Sequence, residues 1–196
     1  MKSELEQIAL LGIHEAASCF NSLVENSEEV LGALTDLVGV SVETIQNGKI
    51  VAFCGNGGSF ADAQHMSAEL TGKLSRNRKP LPAIVLGSNS SSISAIGNDF
   101  GYQFSFSREL EALSGSIGVV IGFSTSGNSE NIVELGKVAK QLAVPFFCFT
   151  GQSEGSVADY AVTIPVPSFR TERIQEMHTT LGHVYCQLVE EELGIL

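Results

Sequence analysis

Short apolar runs rich in β-branched and aromatic residues recur through the middle of the chain, and stretches of helical periodicity separate them. The runs occupy residues 49–55, 82–87, 118–124, 145–151 and 161–166. Runs of this length that are apolar throughout are typical of parallel strands buried on both faces. The alternation predicts an α/β fold, a three-layer sandwich in which a five-stranded parallel sheet is flanked by helices.

Helical patterns also precede and follow the strands. Residues 4–26 and 27–46 have amphipathic periodicity, and Ser27 is the predicted cap of the second helix. A last helix is predicted over residues 171–193, where apolar residues three and four positions apart define one face.

The length of the chain bounds its organisation. A chain of 196 residues is long enough for one well-packed α/β domain and short for two. We therefore expect one domain over residues 1–196, with residues 1–47 forming an N-terminal helical hairpin and residues 77–82 forming a surface turn.

Composition and charge exclude several classes of protein. No apolar stretch reaches the roughly 18 residues that a membrane span requires, and the first residues lack the features of a signal peptide. The net charge of −11 disfavours nucleic acid and anionic lipid as partners. The four cysteines are far apart and form no C-x-x-C pair. These features predict a cytoplasmic protein with no membrane or nucleic-acid partner.

The net negative charge of the chain also restricts where an anionic ligand can bind. It repels a phosphate at long range, so any such ligand must be held by nearby backbone N–H groups, hydroxyls and helix N-termini. Loops at the carboxyl ends of the strands are the places to look, because ligands of open parallel sheets bind there.

The first strand ends in the loop Gly55-Asn56-Gly57-Gly58-Ser59, directly before a helix predicted to begin near Phe60. Glycines permit a tight turn that exposes N–H groups at a helix N-terminus, which makes an anion seat or simply a strand-to-helix turn. The loop is not a dinucleotide fingerprint, since Phe60 replaces the third glycine, and no G-K-[ST] follows as in a P-loop.

The third strand ends in a hydroxyl-rich loop, Ser124-Thr125-Ser126-Gly127-Asn128-Ser129, before a helix predicted over residues 130–141. Four hydroxyls in six residues exceed what helix capping needs, so this loop is a candidate phosphate seat. The second strand leads into Ser88–Ser92 and on to Asn98 and Asp99, which suggests either a further polar wall of the site or a solvated loop.

Four segments together resemble one family. They are GNGGSFADAQHMSAELTGK (55–73), AIGNDFG (95–101), STSGNS (124–129) and RIQEMH (173–178), the last followed by His183. The chain resembles the sugar isomerase (SIS) domain family and, within it, the phosphoheptose isomerases. The resemblance covers nearly the whole chain. It departs from that pattern at Phe60 and Lys73, where relatives carry histidine and arginine.

The resemblance implies a reaction and a set of site residues. The expected reaction is the aldose–ketose isomerisation of sedoheptulose 7-phosphate, with Glu69 and His183 as the catalytic acid/base pair. The expected substrate contacts are Asn56, Gly57, Gly58, Ser59, Glu69, Asn98, Asp99, Ser124, Thr125, Ser126, Ser129 and Gln175. His65, Glu69, Gln175 and His183 match a zinc site, one ion per subunit. The family also implies a homotetramer with active sites at subunit interfaces.

Residue spacing agrees with these roles. His65 and Glu69 are four positions apart, so they share a helix face, although such a pair is often only a surface contact. Gln175 and His183 are eight positions apart, about 80° around a helix axis, so both can reach one site. His178, on the same helix, is interpreted as structural.

Three alternatives stay open. The chain is either this isomerase, an isomerase of a related eight-carbon sugar phosphate, or a non-catalytic SIS module that senses a sugar phosphate or binds a regulatory protein. A nicotinamide-dependent enzyme ranks last, because only the glycine-rich first loop favours it.

Overall fold

The computed structural model describes residues 2–75 and 77–194. Met1, Arg76, Ile195 and Leu196, which belong to the predicted domain and in part to the predicted hairpin, lie outside the described residues. The division of the chain into a single domain stays a prediction.

Helices and strands alternate as the hydrophobic pattern predicts. The helices are α1 (Lys2–Glu25), α2 (Ser27–Gln46), α3 (Gly58–Thr71), α4 (Ser90–Asp99), α5 (Ser107–Leu113), α6 (Glu130–Gln141) and α7 (Thr171–Glu192). The strands are β1 (Ile50–Gly55), β2 (Ala83–Val85), β3 (Ile117–Ser124), β4 (Phe146–Thr150) and β5 (Val162–Pro165). All five predicted strands are present, each within a few residues of its predicted bounds.

The five strands form one parallel sheet in the order β2-β1-β3-β4-β5. Successive side chains of a strand point to opposite faces, and both faces are apolar here. Phe53, Ile121 and Phe149 pack on one face against α2, α3 and α7, whereas Cys54 and Cys148 pack on the other face, where α5 and α6 lie. The predicted three-layer sandwich with a five-stranded parallel sheet is confirmed.

The two leading helices are confirmed and are joined at Asn26, whereas their arrangement as a hairpin stays a prediction. Helix α2 packs on the sheet and on α7, and α1 contacts α7. The predicted capping of α2 by Ser27 is wrong. Ser27 is the first helical residue, and Asn26 before it makes no side-chain cap; the Asn26 amide Nδ2 donates to the Ser22 carbonyl at the end of α1.

The segment 77–82 is a surface turn only in part. Asn77, Lys79 and Pro80 are exposed, but the side chain of Arg78 is 3% exposed and lies inside the protein. The sequence pattern missed this because a charged residue among prolines is usually solvated. None of the described helices combines the length and hydropathy that crossing a bilayer requires.

Candidate active site

The strand order places the first and third loops on either side of one crevice. Chain connections leave β1 and β3 toward opposite edges of the sheet, and ligands of open parallel sheets bind at such a switch point. The loop after β1 and the loop after β3 are the two candidate anion seats of the sequence analysis. The fold therefore brings them together at the place where a ligand is expected.

The first loop turns sharply into α3. Gly57 has a φ of +55°, a conformation that favours glycine, and α3 begins at Gly58 rather than near Phe60. A Cβ on Gly55 would lie 2.4 Å from the carbonyl oxygen of Ser59, so this position accepts only glycine. Gly57 and Gly58 are exposed at the start of the helix, as an anion seat requires.

A reciprocal pair of amides joins the first loop to α6. Asn56 Nδ2 donates to Asn131 Oδ1 at 2.8 Å, and Asn131 Nδ2 donates to Asn56 Oδ1 at 2.9 Å. The Tyr102 hydroxyl also donates to Asn56 Oδ1, at 3.0 Å. Most of the hydrogen-bonding capacity of the Asn56 amide is thus used within the protein, to fix the distance between the two loops.

Sequence analysis missed Asn131 and Tyr102. Asn131 is 2% exposed and stands beside Ile132 at the start of the buried face of α6. A polar residue at a core position was the available signal, because buried amides need partners.

The hydroxyl-rich loop has groups left over for a ligand. The Ser124 hydroxyl is buried and has no hydrogen-bond partner among the described residues. Ser129 immediately precedes α6, yet its side chain makes no capping bond. An unpartnered buried hydroxyl is costly unless something else satisfies it. This loop therefore fits an anion that accepts hydrogen bonds from Ser124 and Ser129 at the helix N-terminus.

The connection between β4 and β5 supports this loop from behind. Asn128 Oδ1 accepts from the backbone N–H of Ser156 at 2.9 Å, and Val157 N–H donates to the Gly127 carbonyl at 2.9 Å. A Cβ on Gly127 would lie 1.6 Å from the Glu154 carbonyl oxygen, so the two backbones approach each other as closely as glycine allows. The support leaves the serine side of the loop free to face the crevice.

Helices α3 and α7 pack side by side in the same direction. The Gln175 amide lies against Gly58 and is 3.5 Å from the Ser59 hydroxyl. One turn further along both helices, Thr179 Oγ1 donates to Asp62 Oδ1 at 2.8 Å.

A further turn along both helices, His183 contacts His65. The contacts Gln175–Ser59, Thr179–Asp62 and His183–His65 thus form three successive levels. The partners at the three levels are 116, 117 and 118 residues apart in sequence. A nearly constant separation means that the two helices are parallel and in register.

The predicted catalytic residues meet at the third level. His65 Nε2 is 3.1 Å from Glu69 Oε1, and His183 Nε2 is 3.3 Å from His65 Nε2. The two imidazole rings meet edge to face, with centroids 4.8 Å apart. Glu69 and His183 are half-buried and His65 is exposed. The arrangement presents one carboxylate and two imidazoles on a surface that a ligand can reach.

The same three side chains fit a zinc ion. Their ligand atoms all lie within 4.8 Å of one another. Tetrahedral zinc with bonds of about 2.0–2.1 Å holds its ligand atoms roughly 3.3 Å apart, and imidazole and carboxylate are among its usual ligands. Gln175, the fourth predicted ligand, lies two turns earlier on α7 and contacts the first loop.

Asp62 lies close to this group. Burial raises its pKa, although the hydrogen bond from Thr179 and the nearby His65 ring act in the opposite direction. Its Oδ2 atom is buried and has no hydrogen-bond partner among the described residues. Asp62 ties α3 to α7 directly below the His65–His183 contact, and sequence analysis did not single it out.

Asn98 and Asp99, two further predicted substrate contacts, pair with each other. They end α4, are exposed, and bond each other through Asn98 Nδ2 and Asp99 Oδ1 at 2.7 Å. Among the described residues no hydrogen bond connects them to either loop. Lys73, a departure from the family pattern, is exposed and donates to Asn77 at 2.8 Å.

His178 is structural, as interpreted from the sequence. It is fully buried between Phe123 and Phe149, and its Nε2 is 3.1 Å from the Thr150 carbonyl. A carbonyl only accepts, so Nε2 carries the proton. Burial lowers the pKa of His178 to about 4, and the bond to Thr150 only partly opposes this.

Comparison with known proteins agrees with the geometry. Residues 13–151 match the family described as "SIS domain". A phosphoheptose isomerase from Aquifex aeolicus (strain VF5) is 48% identical over 159 residues, 81% of this chain and 83% of that protein. One from Akkermansia muciniphila is 40% identical over 192 residues, 97% and 98% of the two chains. The chain belongs to the phosphoheptose isomerase family.

Solved structures of phosphoheptose isomerases share the fold. The structure of phosphoheptose isomerase GmhA from Neisseria gonorrhoeae has a TM-score of 0.86 and 33% identity, and the match covers 95% of this chain and 99% of that one. A phosphoheptose isomerase from Francisella tularensis has a TM-score of 0.80 and 29% identity over 92% and 98% of the chains. The resemblance drawn from the sequence motifs is confirmed.

We predict that Gly58→Ala lowers activity without unfolding the protein. Gly58 has no positive φ, so alanine suits its backbone, but the new Cβ would lie 2.6 Å from Gln175 Nε2 and displace that amide. The expected result is a fall in kcat/KM of about 10- to 100-fold, with the free energy of unfolding within about 1 kcal/mol of the parent.

The matched control for Gly58→Ala is Gly32→Ala in α2, where an added Cβ meets nothing within 4 Å. It should leave kcat/KM unchanged. Full activity of Gly58→Ala would show that the Gln175 amide is not needed at this position.

We also predict that His178 makes stability fall in acid. The unfolded chain protonates this histidine near pH 6.5, whereas the folded protein does so only near its pKa of about 4. Stability that is fully present above pH 6.5 is therefore lost as the pH falls toward 4, by about 2–3 kcal/mol at pH 4.5. Urea unfolding of the parent and of His178→Gln at pH 7 and pH 4.5 measures the difference.

Glutamine can still donate to Thr150 but does not titrate, so the variant should lack this part of the pH dependence. The carboxylates titrate in both proteins and cancel in the comparison. An equal loss of stability in the two proteins would contradict the prediction.

Proposed function

We propose that this chain isomerises sedoheptulose 7-phosphate to D-glycero-D-manno-heptose 7-phosphate through an enediol, and so supplies heptose for lipopolysaccharide or other bacterial glycans. The observation that carries the proposal is the meeting of Glu69, His65 and His183 beside two anion-binding loops in a member of the phosphoheptose isomerase family. The loops suit the phosphate end of the substrate, and the carboxylate and imidazoles suit the chemistry.

The phosphate is proposed to bind at the loop after β3. The hydroxyls of Ser124, Thr125, Ser126 and Ser129 supply donors, and the N-terminus of α6 favours negative charge. The unpartnered Ser124 hydroxyl supports this assignment. Gly57 and Gly58 of the first loop are proposed to contact the sugar through their backbone, since the Asn56 amide is largely occupied by Asn131 and Tyr102.

Proton transfer is assigned to Glu69 and His183. Ketose–aldose interconversion moves a proton between C1 and C2, for which a carboxylate within reach of both carbons is a suitable base. Glu69 takes the proton from one carbon and returns it to the next. His183 moves the proton needed to open the sugar ring, and His65, 3.1 Å from the Glu69 carboxylate, holds that carboxylate in place.

Zinc is the proposed cofactor, one ion per subunit, held by His65, Glu69 and His183. The amide of Gln175, the fourth predicted ligand, lies against Gly58 and Ser59 and is not among the donors that meet there. The spacing of the three imidazole and carboxylate donors supports this assignment. When bound, the ion would act as a Lewis acid that polarises the substrate carbonyl. His65, Glu69 and His183 would position the substrate oxygens either through the bound ion or through direct hydrogen bonds to the substrate.

Four copies are proposed to form a homotetramer with active sites at subunit interfaces. Helix α1 exposes a row of apolar side chains at Leu5, Ile8 and Leu11, each about two-thirds exposed. An apolar row of this kind favours burial against another copy. Asn98 and Asp99 are exposed and, among the described residues, make no hydrogen bond to either loop, which supports a role in the site of a neighbouring subunit. The four free thiols suit the reducing cytoplasm, where we place the enzyme.

Two other functions are separable from this one. A non-catalytic SIS module would bind sugar phosphates without forming product, and an isomerase of eight-carbon sugar phosphates would prefer the longer ketose. Direct detection of product from seven- and eight-carbon ketose phosphates distinguishes the three. A nicotinamide-dependent reaction is disfavoured because Phe60 occupies the place of the third glycine of a dinucleotide fingerprint.

We predict that Glu69→Gln abolishes isomerisation, with kcat reduced at least about 10²-fold, because the amide cannot accept the proton. Exchange of the substrate proton with deuterated solvent, followed by NMR, should be lost in parallel. Glu134→Gln, in a half-buried glutamate of α6 whose carboxylate pairs with Lys137, is the control and should keep full activity. Turnover of Glu69→Gln near the parent rate would refute the assignment of the base.

We further predict that a chelator lowers activity and that added zinc restores it. Removal of one donor by His65→Ala should weaken zinc binding about 10- to 100-fold, measured by competition with a chromophoric chelator. Equal rates with and without chelator, together with no measurable zinc binding, would leave His65, Glu69 and His183 as a purely organic site.

A further inference from the structure

Arg78 lies inside the protein, at the carboxyl-terminal end of α3. Its Nη2 donates to the Glu69 carbonyl at 2.7 Å, and its Nη1 donates to the Leu70 carbonyl at 2.8 Å. The last carbonyls of a helix lack partners within the helix and carry partial negative charge. The guanidinium therefore completes the last turn of α3, the turn that carries Glu69.

The same guanidinium is anchored to α7. Arg78 Nε donates to Glu190 Oε1 at 2.6 Å, and the side chains of Arg78 and Glu190 are 3% and 0% exposed. The Glu190 carboxylate also accepts from the backbone N–H groups of Leu74 and Ser75. Both buried charges of this contact, the Arg78 guanidinium and the Glu190 carboxylate, are thus matched with hydrogen-bond partners.

Glu190 lies seven positions after His183, which is two helical turns, so both side chains face α3. The Arg78–Glu190 contact is thus the last level of the column that begins with Gln175 and Ser59 and passes through His183 and His65. It connects the backbone of Glu69 to the helix that carries His183.

A buried ion pair is an uncertain source of stability, because desolvation of the two charges offsets much of their attraction. What such a pair does supply is fixed geometry. The planar guanidinium donates in several set directions at once, which a lysine cannot do. One of the carbonyls that the guanidinium holds belongs to Glu69, the residue whose carboxylate is the proposed base.

We propose that the Arg78–Glu190 pair positions the active site: it holds the last turn of α3 on α7 and so sets the Glu69 carboxylate against His65 and His183. Arg78 is a positioning residue and touches no reacting atom. The inference rests on the proposed function only for its catalytic consequence, since the separation of Glu69 from His65 and His183 is measurable without turnover.

The test compares Arg78→Met and Arg78→Lys with the parent. A displacement of the base by about 1 Å costs on the order of 10²-fold in rate, so kcat of Arg78→Met should fall about 10- to 100-fold while KM for the ketose phosphate changes less than about threefold. Arg78→Lys keeps the positive charge but loses the planar guanidinium that donates in several directions, so it should recover only part of kcat. If Arg78→Met does not fold, Arg78→Lys carries the comparison.

Leu110→Ala is the control for lost stability alone. Leu110 is fully buried in the cluster on the opposite face of the sheet. At a temperature where all proteins are folded, it should keep the parent kcat and KM. A fall in kcat of Leu110→Ala as large as that of the Arg78 variants would overturn the inference.

Crystal structures of the parent and of Arg78→Lys provide the second measurement. The inference expects the Glu69 carboxylate to move away from His65 and His183 in the variant, and unchanged separations would overturn it. If the parent turns over no ketose phosphate, the proposed function fails, and these separations still decide the positioning role.

Discussion

The site depends on one packing arrangement, the parallel and in-register contact of α3 with α7. Gly182 allows the close approach, since a Cβ there would lie 2.5 Å from Met66 Sδ. Because both helices run in the same direction, residues more than 100 positions apart in sequence stack in one column. The proposed substrate contact Gln175, the proposed acid/base groups and the buried ion pair then occupy successive levels of the two helices.

The same arrangement explains how an acidic protein can hold an anion. The N-termini of α3 and α7 lie at the same end of the column, and the N-terminus of α6 faces the crevice from the loop after β3. Their partial positive charges act at contact distance, whereas the net charge of −11 acts mainly over distances that salt screens, about 10 Å. At the other end of α3, the Arg78 guanidinium meets the partial negative charge. The positive partial charges of the helix N-termini therefore lie at one end of the column, and the Arg78 guanidinium lies against the negative partial charge of α3 at the other end.

Sequence predicted the parts of this structure that local patterns determine. The five strands follow from continuous apolar runs, and the His65–Glu69 face follows from helical spacing. The motifs then identified the family. What sequence did not predict depends on which elements become neighbours. The pairing of Asn56 with Asn131 joins the first loop to α6, 75 positions later, and Arg78 looked solvated because its partner is 112 positions away.

The in-register column also limits how the chain can change in length. One residue inserted into α7 between Gln175 and His183 would turn the second side chain by about 100° about the helix axis and remove it from His65. An insertion in a connection that carries no residue of the site, such as the one between α6 and β4, leaves the column intact, because each helix is held to the sheet by its own apolar face. Gains and losses of residues are therefore compatible with the site in such connections and incompatible with it inside α3 and α7.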